Sequence, residues 1–328
     1  MKIIRIILGI FIVFCVTFSF LFANEKIGEK RKETLNQQRS IIIGWQIDGF
    51  EGGIGSRRNF LLDVSKDFEK LNNDYLITIN SYTEAEANLR LSQGILPDFI
   101  SFSHGVNVNQ QQELETDYYA PGGLVGNKTY ALPWCRGGYV LISKKDVFSN
   151  KNFNKVIVSN SEYTMPIFAF LEEGYSTQMY DVYSPKIAYQ RFLAEDAVLL
   201  GTQRDVVRLE NNDGIFYYKP IEKFNDLYQY ISITSKEESK ITAINEFIDL
   251  LLSEKTQKKL SIIKMFSDVV ELDYLNEILD NMQKLYDFST TSVFMSADNI
   301  SITKDKLLSI KNIKDAEYIK IKNLIVKP

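Results

Sequence analysis

Asp48, Glu51, Arg57 and Arg58 fall in one short run, residues 40–60 (SIIIGWQIDGFEGGIGSRRNF), with Gly49, Gly52, Gly53 and Gly55 between them. Two carboxylates three positions apart on a turn can accept hydrogen bonds from a ligand's hydroxyls, or can cap the helix that follows. Glycines here let the backbone approach a ligand closely, or simply close a tight turn. Two guanidiniums in a helix's first turn oppose its dipole, a local conflict that binding positions often show, and a salt bridge to a neighbouring lobe accounts for it equally. Gly53 and Ser56 complete the candidate set in this turn.

A second run, residues 188–209 (AYQRFLAEDAVLLGTQRDVVRL), places Gln203, Arg204 and Asp205 after a buried apolar stretch. Gln203 and Arg204 offer several donors, and Asp205 an acceptor or a partner for Arg204 or Arg208. Two other segments contribute single candidates. His104 follows an apolar strand with Ser101 and Ser103 nearby; without a G-x-S-x-G elbow it reads as a hydrogen-bonded cleft or hinge histidine rather than a catalytic base. Trp134, beside Pro133, offers an indole face that stacks on a sugar ring or packs a hinge. Cys135 reads as a small buried filler, and Arg136 as a cleft residue. The glycine spacing matches neither the dinucleotide fingerprint nor a Walker A loop.

These groups need a scaffold. Ile41–Trp45 is a short apolar strand, residues 59–71 carry a helical spacing at Phe60, Leu61, Val64, Phe68 and Leu71, and Tyr75–Ser81 is a second strand. Residues 83–93 form a helix with Thr83 as N-cap and Glu86 at the capping-box position, and residues 98–102 a third strand. This β-α-β-α-β order predicts a parallel sheet covered by helices. Residues 132–143 are expected to be a loop and strand crossing between two lobes, and Tyr228–Ile233 a return crossing. Pro185–Ala194 reads as helix, residues 197–200 as a buried strand, and residues 236–252 as a strongly periodic helix, with more helix through Leu260, over residues 272–286 and in the last 25 residues. Residues 145–183 mix Asn, Ser and Tyr with short apolar runs and yield no clear assignment. The expectation is two α/β lobes, each presenting a strand-end loop to a shared cleft. The first comprises residues 40–131 with about 234–300; the second comprises 132–233 with the C-terminal segment.

The bulk properties bound the function. The 328 residues, 45% hydrophobic and 24% charged, are those of a globular chain long enough for two lobes. A net charge of −4 implies no general attraction to nucleic acid. Two cysteines, Cys15 and Cys135, and one histidine exclude a disulfide framework, a cysteine metal site and most zinc enzymes, so no cofactor or metal is expected. Lys2 and Arg5 precede an apolar run over residues 6–23, followed by a charged stretch over residues 24–39. This predicts a signal peptide or retained membrane anchor at 1–23, a linker at 24–39, and an extracytoplasmic domain.

Five motifs in order resemble the extracellular solute-binding protein family 1, the sugar-binding type II substrate-binding proteins of ABC importers. They are WQIDGFEGGIGSR at residues 45–57, PDFISFSHGV at 97–106, ALPWCRGGYVLIS at 131–143, FLAEDAVLLGTQRDVVRLEN at 192–211 and ISITSKEESKITAINEFIDLLLSEKTQKKL at 231–260. The resemblance implies two lobes closing on a small solute, a carbohydrate in many members, and delivery to a membrane permease by a monomeric, non-enzymatic receptor. The chain departs from the family in a second lobe that looks reduced near 145–183 and in lacking a clear lipidation box. A membrane-anchored sensor and a scaffold acting through a protein partner are the alternatives.

Overall fold

A computed structural model describes residues 39–285 and 288–326. The segment read as a signal or anchor, and all of the linker but Arg39, lie outside the described residues. Two five-stranded mixed sheets organise the chain. The first has the order β2-β1-β3-β12-β6, built from β1 (Ser40–Gln46), β2 (Tyr75–Ser81), β3 (Phe99–Phe102), β6 (Leu132–Arg136) and β12 (Tyr228–Ile233). β1 pairs in parallel with β2 and β3, and β12 runs antiparallel between β3 and β6. The second has the order β11-β7-β10-β8-β9, from β7 (Tyr139–Ser143), β8 (Asn152–Ser159), β9 (Ser176–Tyr183), β10 (Val198–Thr202) and β11 (Tyr217–Pro220). A two-stranded ribbon, β4 (Leu124–Val125) with β5 (Lys128–Thr129), completes the strands.

Helices α1 (Arg57–Leu71), α2 (Glu84–Ser92) and α6 (Glu238–Leu252) belong to the first lobe, and α3 (Pro166–Glu172), α4 (Pro185–Ala194) and α5 (Gln203–Leu209) to the second. The α2 start is as read from the sequence, whereas the cap of α1 is Ser56 and not Asp48 or Glu51. Ser56 caps α1 by accepting from the Asn59 amide at 3.2 Å. Thr83 and Glu86 form a reciprocal capping box on α2, satisfying two amides that a helix start leaves open. On α1, Phe60, Leu61, Val64 and Phe68 are buried, and the Phe68 ring meets Phe247 of α6 edge-on at 5.9 Å. Such aromatic contact adds about 0.5–1.5 kcal/mol beyond area burial.

Four differences from the sequence reading stand out. Residues 132–143 are two fully buried strands, β6 in one sheet and β7 in the other, joined by Gly137 and Gly138. The crossing lies at those glycines, so β6 belongs to the first sheet, as β12 does. Residues 145–183, unassigned from the sequence, supply β8, α3 and β9, with Val156, Ile157 and Val158 buried in the second sheet. Edge strand β9 is mostly half exposed, which explains the mixed composition that hid it. The helix expected over residues 272–286 is confined to α8 (Glu277–Gln283), which packs on α5 and β11 of the second lobe. It follows α7 (Glu254–Gln257) and a 3₁₀ turn at Lys258–Ile263.

The C-terminal helices α9 (Ala297–Ser309) and α10 (Ala316–Ile325) also cover the second lobe. Tyr318 stacks on Phe168 at 5.8 Å, and Lys322 pairs with Glu172 at 2.7 Å.

Candidate functional site

Strand β1 delivers its carboxyl end, and the turn that follows, to the space between the lobes. Within the turn, Arg57 acts as a buckle. Its Nε lies 2.8 Å from Asp48 Oδ1, its Nη2 donates to the Phe50 carbonyl at 2.5 Å, and its guanidinium sits 4.3 Å from the Phe50 ring centroid. Asp48 also accepts from Gln46 Nε2 at 2.7 Å. The carboxylate and ring offset what the helix dipole disfavours, a cation in the first turn. Arg57 Nη1 has no hydrogen-bond partner although the side chain is only 6% exposed.

The second lobe answers with the end of β10 and the start of α5. Thr202 Oγ1 donates to the Glu51 carbonyl at 3.1 Å, and the Glu51 amide donates to Ser161 Oγ at 3.2 Å. The Glu51 carboxylate lies 2.6 Å from Arg204 Nη1 and 3.5 Å from Arg208 Nη2. Asp205 closes a capping box on Thr202 and pairs with Arg208 at 3.2 Å, while burial pushes its carboxyl pKa up. Glu51 is thus held through backbone and side chain by the opposite lobe.

Beside these contacts lies a cavity of about 290 Å³, lined by Asp48, Phe50, Glu51, Arg57, Glu84, Ser161, Glu162, Arg204 and turn glycines. Of the residues anticipated from sequence, Asp48, Glu51, Arg57 and Arg204 come together here. Glu84, Ser161 and Glu162 were missed. Glu84 opens α2 just past the carboxyl end of β2, and the strand-end rule applied to β1 would have found it. Ser161 and Glu162 sit in the stretch whose strands were not recognised. Burial, then the nearby Glu162 and Asp48 carboxylates, push the Glu84 pKa up. Behind the cavity, Lys304 of α9 donates to the Ser161 carbonyl at 2.8 Å and the Glu162 carbonyl at 2.5 Å, and burial draws its pKa down to about 8.

The remaining candidates do not line this cavity. Trp134 is buried in the first lobe, stacked on Phe60 at 5.5 Å with Nε1 donating to Ser101 Oγ at 3.0 Å, so its face is covered. Arg136 is buried against Asp268 at 2.5 Å, and its Nη2 donates to the Gln283 and Leu285 carbonyls. It ties β6 to the segment beyond α7 rather than facing a cleft. Gln203 is buried under the crossing, where its Oε1 accepts from the Gly138 amide at 3.0 Å. His104 is buried with Nε2 3.2 Å from the Thr291 carbonyl, and burial lowers its pKa. Ser56 serves as a helix cap. Gly53 has φ +61°, and an added Cβ would lie 2.1 Å from the Ile263 carbonyl oxygen, so its role is steric. Cys135 is a buried free thiol.

A second buried polar knot joins the return crossing to the second lobe. Asp226 accepts from Tyr139 Oη at 2.6 Å and from the Met165 amide at 2.8 Å, and burial pushes its pKa up. No group of three or more His, Cys, Asp or Glu placed to hold a metal ion occurs among the described residues, and no helix among them is long and apolar enough to cross a membrane.

Two sheets, a double crossing and an interlobe cavity define the two-lobed periplasmic-binding-protein fold of type II. Solved structures agree. GacH of Streptomyces glaucescens, solved unliganded and with acarbose, superposes with TM-score 0.56 and 10% identity, over 88% of this chain and 99% of that one. Iron-bound HitA of Pseudomonas aeruginosa gives 0.55 and 13%, over 82% and 99%. The ABC substrate-binding protein Lmo0181 of Listeria monocytogenes, in complex with cycloalternan, gives 0.53 and 12%, over 87% and 97%. No family model and no curated protein matches the chain.

Proposed function

We propose that this chain is the extracytoplasmic solute-binding component of an ABC importer, which captures a small solute between its lobes and presents the closed form to a membrane permease. The observation that carries this reading is the interlobe cavity, whose lining comes from the first lobe (Asp48, Glu51, Arg57, Glu84) and the second (Ser161, Glu162, Arg204). A ligand touching both walls binds the closed form better than the open one, which is what shifts a two-state equilibrium. Binding rather than turnover fits the site: Asp48 and Glu51 are each held by an arginine as fixed charges, not poised as a general acid and nucleophile. A carbohydrate cargo is in keeping with the acarbose and cycloalternan complexes of the structural neighbours. The hydroxyl-matching donors and acceptors of the cavity support it, but its one aromatic lining residue, Phe50, has Arg57 over its face.

The test is ligand-dependent thermal stabilisation of the full-length chain in mild detergent, across sugars, amino acids, polyamines and anions. A ligand at 100 times its Kd adds about 2.7 kcal/mol to the folded state. A shift with one class, lost in Arg204→Ala, supports the reading; a folded protein that responds to no class refutes it.

A further inference from the structure

The charges in the cavity do not balance, and the imbalance has a direction. Its lining holds the carboxylates of Asp48, Glu51, Glu84 and Glu162 against the guanidiniums of Arg57 and Arg204. Asp48 is taken by Arg57 and Glu51 by Arg204. Among the described residues, neither Glu84 nor Glu162 forms an ion pair. Lys304 donates to the backbone carbonyls of Ser161 and Glu162 and does not line the cavity; it feels the Glu162 charge from behind the wall without pairing with it. The two remaining carboxylates come from opposite walls, Glu84 from α2 of the first lobe and Glu162 from the β8–α3 connection of the second. Closing the lobes therefore drives like charges toward each other, Glu84 half-buried and Glu162 exposed at the rim, and their repulsion grows as they approach. The wall offers an opposite need as well: Arg57, nine-tenths buried, has an Nη1 with no hydrogen-bond partner. A buried guanidinium hydrogen without an acceptor is a cost that an incoming oxygen removes.

We infer that the cavity selects a small solute carrying a protonated amine together with an acceptor oxygen, the amine lying between Glu84 and Glu162 and the oxygen toward Arg57. This rests on the receptor reading above and narrows its cargo: a neutral sugar satisfies Arg57 but leaves the two carboxylates repelling, whereas an aminated sugar satisfies both. A solute of this kind makes closure conditional on cargo, because the cation is what lets the second wall approach the first.

The experiment compares matched pairs by isothermal titration of the full-length chain in mild detergent: glucosamine against glucose, and 1,5-diaminopentane against 1,5-pentanediol, with calcium chloride as a metal arm. The expected result is binding of the amines, glucosamine above diaminopentane, with affinity at least tenfold above the neutral partners and reduced about tenfold or more in Glu84→Gln and in Glu162→Gln. Glu84 is half exposed at a helix start and Glu162 is exposed, so both variants are expected to fold, and circular dichroism checks this. Equal or tighter binding of the neutral partners, or amine binding unchanged in both variants, overturns the inference while leaving a solute receptor in place. Heat from calcium alone overturns it in favour of a metal ion. No heat from these probes, with a shift from another class in the stability screen, overturns the inference alone; silence in both assays removes the receptor reading too.

Discussion

The Glu51 carboxylate of the first lobe lies 2.6 Å from Arg204 Nη1 of the second, and this ion pair spans the cleft beside the cavity. It makes the lobes' approach partly a property of the chain itself, before any solute arrives. Glu51 and Arg204 are 42% and 35% exposed, so solvent screens the pair and its worth is about 0.2–1 kcal/mol. That corresponds to at most about a fivefold change in an open–closed equilibrium. In a double-mutant cycle with Glu51→Gln and Arg204→Ala, read by small-angle scattering of the unliganded protein, each single variant should shift the population toward the open form. The double variant should open no further than the larger single effect; full additivity would show that the pair is not a latch.

Arg136 carries a much larger stake. Its guanidinium is fully buried and serves Asp268 and two backbone carbonyls at once. Arg136→Met leaves Asp268 without its partner and the carbonyls without donors, a loss of about 3–5 kcal/mol. Urea unfolding should show a lower midpoint with an unchanged m-value. A loss below 1 kcal/mol would mean that the segment beyond α7 is not anchored through this residue.

Gly53→Ala tests whether the turn's glycine is there for ligand or for backbone. A side chain at φ +61° facing the Ile263 carbonyl strains the turn where it meets the segment after α7, at about 1–3 kcal/mol. The melting temperature should fall with or without solute. If stability is unchanged and only affinity drops, the glycine belongs to the binding surface after all.

His104 gives the fold a pH dependence of known sign. Burial holds its imidazole below the ordinary value of 6.5, so the unfolded chain binds the proton more readily than the folded one. The contribution is fully present above pH 6.5 and is lost as pH falls below it toward the folded value. Asp226 works the other way, its raised pKa favouring the folded state as pH falls, so both must be varied. Between pH 7.5 and 5.5 the unfolding free energy should fall more steeply with falling pH in Asp226→Asn than in the parent, and less steeply in His104→Gln. A His104→Gln profile parallel to the parent's would exclude the histidine as its source.

Much of the frame was legible in the sequence because its signals are local. The spacing of Phe60, Leu61, Val64 and Phe68 marks a helix whatever surrounds it, and Thr83 with Glu86 announces a capping box by chemistry confined to one turn. The same holds for the run at Tyr228–Ile233, whose six residues are all buried. Asp48, Glu51, Arg57 and Arg204 could be named in advance because strand-end loops of α/β lobes point to one side. β9 escaped since an edge strand with half-exposed residues gives a weak pattern, and with the stretch unassigned β8, Ser161 and Glu162 went unnoticed too.

What the sequence determined by itself is the alternation of strands and helices, the two-lobed class it implies, and the polar turns at the strand ends. What only the tertiary structure decided is which of those polar groups share a space. Trp134, Arg136, Gln203 and His104 carry the same chemistry as cleft residues. Long-range partners, Phe60, Asp268, Gly138 and Thr291, cover or bind them instead. Glu84 and Glu162, 78 positions apart in the chain, meet only when two lobes fold against each other. A side chain's type is local information, but its exposure and its partners are set by contacts between distant segments, and spacing along the chain does not record them.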